Sequence, residues 1–132
     1  YALVSNVPRT GEWSPTCRSA EWHDPAQTGV GALFTGHNDD GKRQWTSTSK
    51  VTAAEPGERF EWEVNDGATR WCYLLAPHEG GTLVTHTWHF TERGHAFFME
   101  KFPKPLVGMA KREQAARKDM PITLTRIARL LG

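Results

Sequence analysis

The side chains of this chain with the chemistry to act on a small molecule are six histidines, fifteen carboxylates, two cysteines and a set of serines and threonines. His86 stands out by its setting. In the run Thr82–Phe90 the residues Val84, His86, Trp88 and Phe90 alternate, so His86 shares a face with apolar neighbours. An imidazole titrates near neutrality and can act as a general base. The plainer reading is a core histidine bonded to a hydroxyl or carbonyl. Glu21 and Asp24 flank Trp22 and His23. A carboxylate turned inward there can abstract a proton; on an edge strand it is simply solvated. Ser47 and Ser49 alternate with Trp45 but lack a partnered His and Asp, so they read as polar spots, not nucleophiles. His37 has the opposite parity to Phe34 and lies next to a turn, which reads as surface. His86, His89 and His95 do not form a metal site, because positions 86 and 89 of one strand point to opposite faces. Arg70 is expected to pair with Glu61 or Glu63. No phosphate-binding glycine loop or metal-ligand motif is present, so no cofactor is expected.

These residues must be held by the elements around them. Phe60-Glu61-Trp62-Glu63-Val64 alternates apolar and charged residues with period two, the mark of a half-buried strand. Comparable runs cover Thr16–Trp22, Gly31–Asn38, Arg43–Ala54, Arg70–Ala76 and Thr82–Phe90. Asn38-Asp39-Asp40-Gly41, Glu55-Pro56-Gly57-Glu58, Asn65-Asp66-Gly67 and Gly80-Gly81 reverse the chain between them. Short reversals after each strand predict an antiparallel meander. Before it, Tyr1, Leu3, Val4 and Val7 look like one side of a short helix, broken by Pro8, Gly11 and Pro15, with Trp13 plugging a gap in the core. After it, a short helix is expected at Ala96–Phe102 and a long one over 109–131, where Met109, Ala116, Met120, Leu124, Ile127 and Leu131 recur at helical spacing. Pro121 predicts a kink or break near Met120.

The pattern therefore predicts one α+β domain, a curved antiparallel sheet of six strands wrapped around a long C-terminal helix. One face of the sheet carries Phe34, Trp45, Ser47, Ser49, Val51, Phe60, Trp62, Val64, Trp71, Tyr73, Leu75, Val84, His86, Trp88 and Phe90. The other carries residues such as Arg43, Thr46, Lys50, Glu61, Glu63 and Arg70. The oily face must be covered, and only the C-terminal helix is long enough. A six-strand face exceeds what one helix covers. The surplus forms a cavity lined by Phe34, Trp45, Ser47, Ser49, Phe60, Trp62, Trp71, Tyr73, His86 and Trp88, with Met109 and Met120 from the helix, or else the rings pack on each other.

Composition narrows the partners. The 132 residues carry a formal charge of +1, with no concentrated basic surface for nucleic acid. No run is long and apolar enough to span a bilayer, and no signal peptide is visible. The basic outer side of the C-terminal helix can lie on an acidic membrane or partner, though a solvated face is the simpler reading. Cys17 and Cys72 are too few and too far apart for a disulfide framework, which suits reduced thiols and a cytoplasmic protein. Tyr1-Ala2-Leu3-Val4 reads as the middle of an element, so residues are expected before it.

Several segments in order carry a resemblance: Glu12-Trp13-Ser14-Pro15, Val30-Gly31-Ala32-Leu33-Phe34-Thr35-Gly36, Trp45-Thr46-Ser47-Thr48-Ser49-Lys50-Val51, Glu55-Pro56-Gly57 with Phe60-Glu61-Trp62, and Gly80-Gly81-Thr82-Leu83-Val84-Thr85. Together they resemble the polyketide cyclase/dehydrase branch of the START-like, helix-grip superfamily across the whole chain. The resemblance implies a seven-stranded sheet gripping the C-terminal helix with a tunnel between them. It also implies an apolar ligand such as a lipid or polyketide, or cyclase/dehydratase chemistry using His86 or Glu21 as base. Co-chaperone relatives add a protein-interaction role. The family's first strand has no counterpart here, which leaves Thr82–Phe90 as a sheet edge to be filled by preceding residues or by a second copy in a homodimer. Residues 94–108 are expected to form a lid over one tunnel mouth.

Overall fold

The computed structural model describes residues 1–132. Six strands, β1 (Cys17–Trp22), β2 (Leu33–Asp39), β3 (Gln44–Glu55), β4 (Arg59–Val64), β5 (Thr69–His78) and β6 (Gly81–Phe90), form one antiparallel sheet in chain order. β1 and β6 are its edges. The reversals have the expected chemistry. Asn65, Asp66 and Gly67 take φ of 51°, 60° and 85°, a left-handed run that most side chains resist. At the β2–β3 turn the Asp40 carboxylate accepts from the backbone N–H groups of Lys42 and Arg43, both at 2.9 Å.

Register places the alternating rings on one face. Trp22 lies opposite Phe34, Phe34 opposite Ser49, Trp62 opposite Trp71, and Trp71 opposite Trp88. A bulge between Val51 and Ala53 keeps Val51 facing Trp62 while bringing Ala54 opposite Phe60. Thr52, at that bulge, donates to Glu61 at 2.7 Å on the outer face. Glu61 is buried there although it carries a charge. Burial pushes its carboxyl up, but hydrogen bonds from Arg59 and Thr52, with the charges of Arg59 and Arg70, hold it below the usual range. Arg70 bonds Glu63 and approaches Glu61 at 3.8 Å, so it serves both expected partners.

The two ends of the sheet differ. At one end the opening segment is not a regular helix: a turn over residues 2–5 leads into a 3₁₀ helix at Val7–Glu12. Its apolar side chains are nevertheless all used. Leu3, Val4, Val7 and Trp13 are buried against Phe60, Tyr73, Leu75 and Ile127. This is the main core, and it plugs that end.

At the other end β6 hands over to two helices. α1 (Glu92–Lys101) begins four residues ahead of the expected Ala96. The start signal is Thr91, whose hydroxyl accepts from Gly94 N–H at 3.0 Å as an N-cap. α2 (Pro105–Leu131) begins four residues ahead of the expected 109, with Pro105 in its first turn, where a missing N–H is harmless. Of the kink or break expected near Met120, the break does not occur, since α2 runs through Pro121. Packing on either side holds the helix together: Ala116, Thr123 and Ile127 are buried around it. Residues 94–108 are thus most of α1, a proline-bounded elbow and the first turn of α2.

Gly94 is the tightest joint in this end. A Cβ there would lie 1.8 Å from the Ala68 carbonyl oxygen, a backbone atom that has nowhere to go. Gly94→Ala is expected to destabilise the fold by about 1–3 kcal/mol, as overpacking does. Gly29→Ala, with nothing within 4 Å, is the control. Urea melts of both variants that superimpose on the parent would show that the joint is slack.

Candidate functional site

The inner face carries a continuous run of rings. From β1 it passes Trp22–Phe34 (5.6 Å between centroids), Phe34–Trp62 (6.3 Å), Trp62–Trp71 (6.2 Å, 13° between planes) and Trp71–Trp88 (6.3 Å). It continues through Trp88–Phe90 (5.0 Å) and Phe90–Phe98 (5.2 Å) to Phe98–Phe102 (4.3 Å) on α1 and the elbow. All but the closer Phe98–Phe102 pair fall in the range that favours aromatic pairing. The rings divide by exposure. Phe34, Phe60 and Tyr73 are buried, whereas Trp62, Trp71, Trp88 and Phe90 are only half-buried.

The roof explains the division. α2 runs nearest to β6 and α1. Its buried residues are Ala116, Thr123 and Ile127, and the larger Met109 and Met120 are half-buried. The far wall is reached at Ile127 in the core and by a hydrogen bond from Thr16 to Asp119. The half-buried rings beside α2 make an apolar strip, or groove, bounded by the buried core at one end and by α1 and the β2–β3 hairpin at the other. Two surface hollows of about 580 and 520 Å³ lie elsewhere, one beside Arg70, His89 and Arg93 and one along residues 26–32. The first is rimmed by charges already engaged, Arg70 with Glu63 and Arg93 with Asp66. Neither offers the apolar lining of the groove.

His86 sits where the buried rings give way to the half-buried ones. It stacks on Tyr73 at 4.1 Å and 6°, and on Trp71 at 5.2 Å and 24°. Its Nδ1 lies 3.0 Å from the Cys72 carbonyl oxygen. A carbonyl only accepts, so Nδ1 carries the proton and Nε2 is left as an acceptor. Nε2 has no protein partner, yet it is not sealed from solvent, since the one fully buried unpaired side-chain polar atom is Arg59 Nε. Burial lowers the His86 pKa to about 4, against a smaller opposing effect of the Cys72 carbonyl.

The remaining expected residues scatter more. Ser49 is buried, opposite Phe34 on the neighbouring strand. Trp45 and Ser47 are half-buried at the open end, where Asn38 Nδ2 donates to Ser47 Oγ at 3.1 Å. Glu21 is a correction. Trp22 turns inward with Phe34, so its neighbour Glu21 turns outward and is exposed, with His37 Nε2 at 2.7 Å. It cannot reach the groove. Asn38 shares the parity of Phe34 and was legible on that ground. Cys17, whose Sγ lies by Gly36 on the inner side, follows an irregular register that hides its direction. Arg43 is a second correction: expected on the outer face, it lies over Trp45, whose parity it shares; Arg112 carried no sequence signal beyond its charge.

A lowered histidine pKa is a statement about stability. Between about pH 6.5 and 4 the unfolded chain binds a proton at His86 that the folded chain does not, so stability falls as pH falls through that window. The full difference is worth about 3 kcal/mol. His86→Phe is expected to flatten this part of the stability curve. Denaturant melts at half-unit pH steps check it, and parallel curves for parent and variant would refute it.

The whole chain, residues 1–132, matches the family model described as polyketide cyclase / dehydrase and lipid transport. Among solved structures it resembles the Polyketide_cyc-like protein Cgl2372 of Corynebacterium glutamicum, at 45% identity and TM-score 0.68, covering 99% of this chain and 81% of that one. It also shares its fold with a Rhodobacter sphaeroides protein at 18% identity and TM-score 0.65, over 99% and 80% of the two chains. No curated protein matches the chain. With a helix-grip sheet and a family match along its entire length, the chain belongs to the polyketide cyclase/dehydrase and lipid transport family.

Proposed function

We propose that this protein binds an apolar small molecule, lipid-like or polyketide-like, in the groove between its sheet and α2. One observation carries the reading: Trp62, Trp71, Trp88 and Phe90 line the inner face yet remain half-buried. A protein gains by removing such surface from water, at roughly 25 cal/mol per Å². An apolar guest does this where the chain's own helix does not. His86 Nε2 adds one acceptor among the rings, suited to a hydroxyl of the guest.

A second reading makes His86 the base of a cyclase or dehydratase, and its unpartnered Nε2 favours it. Energetics weigh against it. A base is most effective with a pKa near the working pH. With its pKa near 4, protonating His86 at pH 7 costs about 4 kcal/mol. Binding is the better supported role, and His86 serves it as an acceptor.

Titration with N-phenyl-1-naphthylamine, a neutral apolar fluorophore, tests the groove. Saturable binding at one site is expected, and Trp88→Ala is expected to weaken it about tenfold. Val30→Ala, a change at an exposed loop residue, should leave it unchanged. A parent protein that shows no saturable binding to any apolar probe removes the proposal.

A further inference from the structure

The open end of the groove carries two arginines that form no ion pair, although the Asp40 carboxylate on the β2–β3 turn feels the charge of Arg43. Arg43, just before β3, places its guanidinium carbon 4.9 Å from the centre of the Trp45 ring. Arg112, early in α2, lies 4.6 Å over Phe98 and 5.6 Å over Phe102. Its one side-chain hydrogen bond goes to the Gly108 carbonyl of its own helix at 3.2 Å. Elsewhere in the chain Arg9, Arg59, Arg70, Arg93 and Arg117 each hold a carboxylate. Arg43 and Arg112, like Arg18, Arg126 and Arg129, hold none, but these two lie over aromatic rings.

The two come from opposite walls, the β2–β3 hairpin and the helix. Strand register puts both at the same end. The hairpin extends past the Phe34–Ser49 pair to Asn38–Trp45, while Ser49 aligns through Val64 and Thr69 with Phe90, from which α1 departs. They also feel each other: burial lowers the Arg112 pKa first, and the charge of Arg43 lowers it further. Two like charges that act on each other repel, and contact with aromatic faces offsets only part of this. An anion between them removes the repulsion and finds planar, bidentate donors on both sides.

We propose that Arg43 and Arg112 are the head-group site of the groove, which takes an amphiphile with an apolar body and one anionic group, carboxylate or phosphate. This rests on the groove being a ligand site, and it adds the charge of the ligand and its direction. The anionic head stays at the open end between the guanidiniums, and the apolar body runs over Trp88 and Trp71 toward His86. A free inorganic anion is not the ligand. Both arginines are exposed at a wet rim, where charge alone binds weakly and is screened by salt.

Calorimetry with dodecanoate, dodecanamide and inorganic phosphate, each below any micelle-forming concentration, tests this. The parent protein is expected to bind dodecanoate about tenfold more tightly than the neutral amide. The Arg43→Gln/Arg112→Gln variant should bind both equally, at the affinity of the amide, and phosphate alone should give no binding isotherm. Equal affinity for acid and amide in the parent overturns the head-group site and leaves the groove standing. So does a preference that survives in the double variant, or phosphate binding as tight as dodecanoate. Binding of neither dodecyl compound overturns the groove and this site together. If the double variant fails to fold, the acid-to-amide ratio in the parent decides alone.

Discussion

A single helix is narrower than the face it has to cover. Six strands at about 4.8 Å spacing make a face roughly 24 Å across before curvature, and an α-helix with its side chains is about 10–12 Å wide. α2 has ample length, with 27 residues, but length does not help across the strands. Either other elements fill the remainder, or apolar surface stays open. This chain does both, at different ends. The opening segment wedges Leu3, Val4, Val7 and Trp13 under one end of the sheet and completes a closed core with Ile127. At the other end only α1 is available, and it covers Phe90 with Phe98 while leaving the tryptophans half-exposed.

The outer face shows why the sheet tolerates this asymmetry. It needs no cover, because its buried charge is satisfied within the sheet. Glu61 is held by Thr52, Arg59 and Arg70, and Glu63 by Arg70. Breaking one member of such a network leaves an uncompensated buried charge, which is far more costly than losing an exposed pair. The same ladder fixes the register of β3, β4 and β5. A slip of one residue would turn Trp62 outward and drive Glu61 into the groove. The polar side of the sheet thereby holds the aromatic side in place.

How much of this was legible depends on the residue. Period-two strands such as Phe60–Val64 declared both their type and their inner face, because alternation is a local property. The turn at Asn65-Asp66-Gly67 was equally plain, because few residues accept its backbone angles. Helix starts were not: Thr91 as a cap and Pro105 in a first turn are each a single residue against a stretch rich in Gly and Pro. Pro121 looked like a break because its local penalty is large, and burial of Ala116, Thr123 and Ile127 overrides it, which only tertiary structure reveals. Glu21 shows the limit of assigning roles without parity. Its neighbour Trp22 had to face inward, so Glu21 had to face out.

The groove is graded along its length, and the grading bears on what it can do. The open end has two cations and the Asn38–Ser47 pair; the middle has Trp71 and Trp88; the inner limit is His86, stacked between the last half-buried ring and the first buried one. Beyond it lies the plug. Charge at one end and a neutral acceptor at the other can align a long molecule, since reversing it would put an anion against a lone pair in an aromatic pocket. The imidazole's low proton affinity suits that arrangement: a protonated His86 would lose the acceptor and invert the charge gradient. The burial that makes His86 a poor base is what keeps it a neutral acceptor at the edge of the core.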